Sequence, residues 1–207
     1  MKRRDFLFSA AAASAACVFP GVSAAQSEAL PYREVRVSGD GLRTLVFFAF
    51  SCPECRRHHQ ALQEWSETLP RAMSFEFVPV VVADHDHMLA ARAWYAAKLV
   101  APTRMGQFAE AVYAQVHDLN NPISSPSTWI AAARAARLSD FTAAWAKVPV
   151  SAIELAANRL AQYAITETPS MAIGGRYVIT PDNVHGDARL FIALANGLVS
   201  KQLQKAL

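Results

Sequence analysis

The sequence predicts an α/β fold that carries an inserted helical subdomain, and three observations lead to this prediction. Residues 44–50 (TLVFFAF) form a continuous apolar run, which suits a strand buried on both faces. A helical pattern and another strand pattern follow, which gives a β-α-β unit. Residues 86–166 are then rich in alanine with helical periodicity, and strand patterns return only after this block.

Composition favours a globular domain. The chain has 207 residues, of which 53% are hydrophobic and 18% charged, and these values exclude disordered, coiled-coil and collagen-like classes. The formal net charge is +3, but residues 2–5 (KRRD) contribute +2 of it, which leaves +1 for the rest. We therefore expect no nucleic-acid partner.

The first 24 residues are predicted to be a secretory signal, which is removed on export. A basic start precedes the apolar stretch 6–19, a Pro20-Gly21 break and the small-residue pattern Val22-Ser23-Ala24. Residues 3–7 (RRDFL) resemble a twin-arginine signal, and an ordinary Sec signal is the alternative. Cleavage would remove Cys17 and leave one C-x-x-C motif as the only thiols.

The elements around this motif follow from periodicity and from prolines. An alternating pattern predicts a strand over residues 32–37. After the buried strand, Pro53 favours the first turn of a helix, which is predicted to run to Leu69. Residues 74–82 predict the next strand, in which Pro79 argues for an edge position. The two cysteines therefore lie at a strand-to-helix junction.

The second half of the chain predicts helices first and a short hairpin last. Four or five helices are expected within residues 86–166. Strands at 171–173 and 176–180 are joined by Gly174-Gly175, a pair favoured in two-residue hairpin turns, and residues 187–206 form an amphipathic helix.

This order describes a thioredoxin-like fold with a helical insertion. We assign residues 25–85 and 167–207 to the thioredoxin-like domain and residues 86–166 to the inserted helical subdomain.

Cys52 and Cys55 have three possible roles other than redox chemistry. A structural disulfide between them would close too short a loop to remove much entropy from the unfolded chain. A zinc site would need two more ligands, and the adjacent His58 and His59 cannot both face the thiolates from one helix. Two inert buried thiols would not suit an oxidising compartment. We expect no metal at this motif.

Redox chemistry has direct physical support. Positions 52 and 55 share one face of a helix, and Cys52 lies where the unpaired N–H groups of the helix start stabilise a thiolate. The helix dipole supplies at most about 2 kcal/mol, so other donors or cations must add to it. Arg56 and Arg57 are candidates, whereas Glu54 either opposes them or is a solvated surface carboxylate.

Two segments resemble the DsbA family of periplasmic thiol-disulfide oxidoreductases. They are residues 47–55 (FFAFSCPEC) and residues 168–177 (TPSMAIGGRY), which are similar to the active-site segment and the cis-proline loop of that family. The resemblance implies that Cys52 is the exposed attacking cysteine and Cys55 its buried partner. It also implies that Pro169 is a cis-proline facing them.

The resemblance assigns further roles and shows two departures. Thr168 would offer backbone groups to a substrate peptide as an added strand, and Pro53 and Glu54 would tune the cysteines. The best-known oxidases of the family have histidine where this chain has Glu54, and often valine where it has Thr168. Both differences bear on how oxidising the pair is.

The expected function is disulfide donation to cysteine-containing exported proteins in the periplasm. The resemblance implies reoxidation by a DsbB-like membrane quinone reductase, and we expect a monomer with no cofactor. A reductase or isomerase of the same fold is the first alternative. A redox-inactive peptide-binding chaperone is the second.

Residues 84–87 (DHDH) place four metal-binding residue types in a row. The interpretation we favour is a polar loop in which Asp86 caps the following helix.

Overall fold

The computed structural model describes residues 30–206, so the predicted signal segment and Cys17 lie outside the described residues. Within this range the chain forms one five-stranded sheet and seven α-helices. The strands are β1 (Arg33–Glu34), β2 (Arg43–Phe48), β3 (Ser74–Pro79), β4 (Ser170–Ile173) and β5 (Tyr177–Ile179). The helices are α1 (Pro53–Ser66), α2 (His85–Val100), α3 (Met105–Tyr113), α4 (Pro126–Ala135), α5 (Phe141–Lys147), α6 (Val150–Gln162) and α7 (Ala188–Ala206).

The sheet is mixed, with the strand order β1-β5-β4-β2-β3. Strand β2 lies between β3, which is parallel to it, and β4, which is antiparallel, and residues 44–48 are all buried. Leu45 and Phe47 pack into a core shared with the helices that follow β3. Val46 packs into a second core with Phe191 of α7. Helices therefore cover both faces, which explains the continuous apolar run of β2.

Strand β3 is an edge strand, as Pro79 indicated. It ends at Pro79 rather than at residue 82, because proline has no N–H for the ladder. The N–H of Val80 still donates to the carbonyl oxygen of Phe48 at 2.8 Å. The chain therefore leaves the sheet beside the end of β2, from which the cysteine segment also leaves.

Strand β1 is shorter than the predicted 32–37, although its pairing continues beyond the strand. The N–H groups of Val35 and Val37 donate to the carbonyl oxygens of Arg176 and Gly175, both at 2.8 Å.

The predicted two-residue turn between β4 and β5 is confirmed. Gly174 and Gly175 have φ of +62° and +65°, and the N–H of Arg176 donates to the carbonyl oxygen of Ile173 at 3.1 Å. Both central residues of such a turn need positive φ, which glycine adopts without strain. The turn fixes how β5 folds back on β4.

Five helices, α2 to α6, lie between β3 and β4. Their small side chains allow close packing, and Ala91, Ala93 and Ala96 of α2 are fully buried. A short π-helical turn, Ala114–Asp118, follows α3. Among residues 30–206, no helix combines the length and the hydropathy needed to cross a membrane.

The predicted cap of α2 is wrong by two residues. Asp84, not Asp86, is the N-cap: its carboxylate accepts the N–H of His87 at 2.9 Å, and the helix begins at His85. Both aspartates have a side chain suited to an N-cap. Asp84 is the cap because its backbone is extended, as an N-cap requires.

Candidate active site

Cys52 is the N-cap of α1. Its backbone is extended (φ −86°, ψ 117°), Pro53 occupies the first turn, and the N–H of Cys55 donates to Cys52 Sγ at 3.3 Å. Proline suits this turn because its missing N–H would be unpaired there in any case. The sulfur of Cys52 therefore occupies the position in which a helix start stabilises negative charge.

Cys55 lies one turn further along α1 and is buried, with 2% of its surface exposed. The N–H of Ala49 donates to its sulfur at 3.5 Å. Both cysteines are free thiols in this structure, and Cys52 is the more accessible one. The structure therefore describes the reduced form of the pair.

The loop before β4 brings Thr168 and Pro169 to the cysteines. Antiparallel pairing of β4 with β2 sets Ser170 opposite Phe47, and the Thr168–Pro169 peptide bond is cis. When protonated, the Cys52 thiol donates to the carbonyl oxygen of Thr168, which lies 3.2 Å from Cys52 Sγ. The sheet thus joins two segments that are 116 residues apart in sequence.

The two sulfurs differ in acidity. Hydrogen bonding by the Cys55 thiol is the largest cause that lowers the pKa of Cys52, to about 5. Burial opposes this shift, whereas the Thr168 side chain and the N–H groups of Cys55 and Glu54 add to it. Burial is also the main reason that the pKa of the Cys55 thiol is raised far above its ordinary value. At neutral pH, Cys52 is therefore the thiolate and Cys55 the thiol.

Arg56 and Arg57, the candidate cations near the thiolate, are both paired with carboxylates. Arg57 binds the carboxylate of Glu54 at 3.0 Å, and Arg56 makes two hydrogen bonds to Asp118, at 2.7 and 2.8 Å. Each charge is offset by its partner, so hydrogen-bond donors stabilise the thiolate. The Glu54 carboxylate also lies 3.7 Å from Nε2 of His58.

His58 and His59 are both buried, each against a different neighbour of α1. His59 stacks on Phe77 with ring centroids 4.5 Å apart, whereas His58 packs edge-on against Phe191. Burial lowers the pKa of His59 to about 4 and also lowers that of His58. In the described part of the chain, no three His, Cys, Asp or Glu side chains cluster as a metal site would need.

A cleft of about 270 Å³ opens beside Cys52. Apolar side chains from both halves of the chain line it, among them Val80, Val82, Leu160 and Ile165. His87 also lines it, and its Nδ1 lies 2.7 Å from a carboxylate oxygen of Asp84. The cleft offers apolar surface next to the reactive sulfur.

Two residues near the cysteines were missed at the sequence level. The Nε2–H of His117 donates to the carbonyl oxygen of Phe50 at 2.8 Å, and Asp118 binds Arg56. Both lie on the π-helical turn, and no local sequence pattern marks that turn. A polar pair after an amphipathic helix is the only signal present, and it is not specific.

The low pKa predicts that Cys52 remains reactive in mildly acidic solution. We expect its alkylation by iodoacetamide to follow the thiolate fraction, with a midpoint near pH 5 and a roughly tenfold fall for each pH unit below it. Glutathione treated in parallel should show the midpoint of an ordinary thiol, about pH 8.5. A protein midpoint close to that of glutathione would contradict the stabilisation described above.

Comparisons with known proteins agree with this geometry. No family model matches the chain. The thiol:disulfide interchange proteins DsbA of Bordetella parapertussis and Bordetella bronchiseptica are each 25% identical to it over 141 residues. The aligned region covers 68% of this chain and 66% of each of those proteins.

Solved structures show the same fold. DsbA from Pseudomonas aeruginosa superposes with a TM-score of 0.73 at 19% identity, covering 85% of this chain and 94% of that one. The oxidoreductase NmDsbA1 of Neisseria meningitidis superposes with a TM-score of 0.73 at 17% identity, covering 84% of this chain and 93% of that one. The predicted thioredoxin-like α/β fold with a helical insertion is confirmed. The chain is therefore similar in sequence to the Bordetella DsbA proteins and shares the fold of the solved DsbA structures, which supports the DsbA family.

Proposed function

We propose that the chain is an exported thiol-disulfide oxidoreductase that donates the Cys52–Cys55 disulfide to cysteine-containing proteins. The observation that carries this proposal is the asymmetry of the pair. Cys52 is accessible and its thiolate is stabilised, whereas Cys55 is buried beside it. A structural disulfide or an inert pair of thiols has no need of this difference.

The reaction consists of two exchanges. A client thiolate attacks Cys52 Sγ of the oxidised pair, the bond between the two sulfurs breaks, and Cys55 leaves with the electron pair and takes up a proton. A second client thiolate then attacks the client sulfur of this mixed disulfide and releases Cys52 as a thiolate. The client loses two electrons and gains a disulfide, and the protein is left reduced.

The acidity of Cys52 favours this direction. A thiol of low pKa is a good leaving group, so the mixed disulfide resolves quickly. A stabilised thiolate also lowers the free energy of the reduced form, which makes the disulfide more oxidising. The low pKa of Cys52 therefore supports donation, even though Glu54 stands between the cysteines.

Thr168 and Pro169 are proposed to receive the client. The carbonyl of Thr168 already contacts Cys52 Sγ, and an extended client segment could pair with the backbone beside it as an added strand. Apolar client side chains would occupy the cleft lined by Val82 and Leu160. Pro53 and Glu54 are proposed to tune the pair through the first turn of α1.

The cellular setting is also proposed. The signal pattern at residues 1–24 and the DsbA relatives support export to the periplasm with cleavage of the signal. Similarity to the DsbA proteins supports reoxidation by a DsbB-type membrane partner, and we propose that the protein works as a monomer. We keep 25–85 with 167–207 as the thioredoxin-like domain and 86–166 as the insertion.

The equilibrium of the pair with glutathione tests the direction of electron flow. We expect the purified mature protein to have a potential of about −120 mV, the range of strong disulfide donors. A value of about −200 mV or lower would overturn donation in favour of reduction or isomerisation. In that case Glu54→His is the first variant to compare, because it tests whether the carboxylate sets the potential.

A further inference from the structure

The π-helical turn Ala114–Asp118 contacts the segment that carries the two cysteines. Turns of this kind are rare, and their additional residue re-aims the side chains that they carry. His117 donates to the carbonyl oxygen of Phe50 at 2.8 Å, two residues before Cys52. Asp118 accepts two hydrogen bonds from Arg56, at 2.7 and 2.8 Å, one residue after Cys55. The turn therefore contacts the cysteine segment on both sides of the pair.

Arg56 is joined to Cys52 through the backbone of the first turn of α1. The N–H of Arg56 donates to the carbonyl oxygen of Cys52 at 3.2 Å, within the first turn of α1. The guanidinium group is thus attached about one helical turn from Cys52. An unpaired cation there would stabilise the thiolate, but the carboxylate of Asp118 offsets it. Glu110 is a further acidic neighbour of Arg56.

We propose that Asp118 is a positioning residue that limits the oxidising power of the Cys52–Cys55 pair, because its carboxylate holds Arg56 and offsets its charge beside Cys52. The proposal deepens the function proposed above and rests on it. It assigns a redox role to the helical insertion, through one ion pair on its surface.

The sign of the effect follows from the charges. Without the Asp118 carboxylate, the positive charge of Arg56 is no longer offset one helical turn from Cys52, so the thiolate of the reduced form gains stability and the disulfide becomes more oxidising. Without the Arg56 guanidinium, an unpaired Asp118 has the opposite effect. Both side chains are partly exposed, with 37% and 53% of their surface accessible, so solvent screens the interaction. We therefore expect changes of about twofold to fourfold in the equilibrium constant.

Four variants of the full mature protein test this proposal: Asp118→Asn, Arg56→Gln, the double variant and Asp140→Asn. Asp140 is the matched control, since it is exposed in the same helical insertion and its carboxylate makes no ion pair within residues 30–206. The Cys52 titration is read from the ultraviolet absorbance of the thiolate. The equilibrium constant is measured against glutathione.

Asp118→Asn is expected to lower the Cys52 midpoint and shift the equilibrium about twofold to fourfold towards the reduced protein. Arg56→Gln should raise the Cys52 midpoint and shift the equilibrium towards the oxidised protein. The double variant should give values close to those of the wild type. Two results would overturn the proposal: Asp118→Asn behaving like Asp140→Asn, or both single variants shifting the midpoint in the same direction. The second result is expected if the ion pair only holds the segment rigid.

Failure of the proposed function and failure of this inference give different experimental results. If wild-type protein exchanges no disulfide with a client peptide, the proposed function is wrong, while the Cys52 titration still reports on Asp118. If exchange proceeds and Asp118→Asn leaves the titration unchanged, only the inference is wrong.

Discussion

Replacing Cys52 by alanine is expected to abolish disulfide exchange, whereas replacing Cys55 by alanine is expected to arrest it midway. Cys52 is the accessible sulfur and the one held as a thiolate, so no mixed disulfide forms without it. The Cys55→Ala variant keeps this nucleophile. Its Cys52 thiolate attacks an added client disulfide, and the product persists because no buried thiol resolves it.

Both variants are compared on a peptide that contains a single disulfide, and the adducts are detected by mass under non-reducing conditions. Cys52→Ala should give no adduct, and Cys55→Ala should accumulate one adduct per chain. Far-ultraviolet circular dichroism checks that both variants are folded. Adducts of similar yield in the two variants would contradict the assignment of Cys52 as the attacking sulfur.

Acid is expected to destabilise the protein through the buried His59. Burial lowers its pKa from 6.5 to about 4, so the folded state holds this imidazole neutral where the unfolded chain protonates it. The stabilisation is complete above pH 6.5 and is lost as the pH falls towards 4. It amounts to about 3 kcal/mol over that interval, at about 1.36 kcal/mol for each pKa unit.

The His59→Phe variant should lack this part of the pH dependence. A phenyl ring keeps the stacking on Phe77 and does not titrate. We compare free energies of unfolding in urea at several pH values, so that any constant packing cost of the larger ring cancels. The exposed His85→Phe is the matched control and should lose stability in acid as the wild type does. Equal pH slopes for His59→Phe and wild type would show that the pKa of His59 is the same in the folded and unfolded states.

The elements that fill the core were predictable from the sequence because burial leaves a periodic pattern. Each predicted element follows from one structural requirement. Burial on both faces gives the apolar run of β2, close helix packing favours alanine, and positive φ between β4 and β5 favours the glycine pair. The two cysteines and Thr168–Pro169 were predicted by their motifs, and the structure brings them together.

The partners of exposed charges were not predictable. Arg56 could have turned towards Cys52 or towards any acidic side chain nearby, and only tertiary structure selects Asp118. The burial of both His58 and His59 was also hidden. Two consecutive helical residues are both buried only when other elements cover more than one face of the helix. In α1, Phe191 covers His58 and Phe77 covers His59.

The antiparallel pairing of β2 with β4 has a consequence for the order of assembly. The sulfur of Cys52 and the carbonyl of Thr168 are 116 residues apart, and all five helices of the insertion separate them. Contacts so distant in sequence form late, because the loop entropy must be lost before they contribute. During synthesis from the N-terminus, the segment from Cys52 to Cys55 is made long before the residues of β4. The nascent protein thus carries a nucleophile without its client-binding strand, and the client site is complete only once β4 pairs with β2.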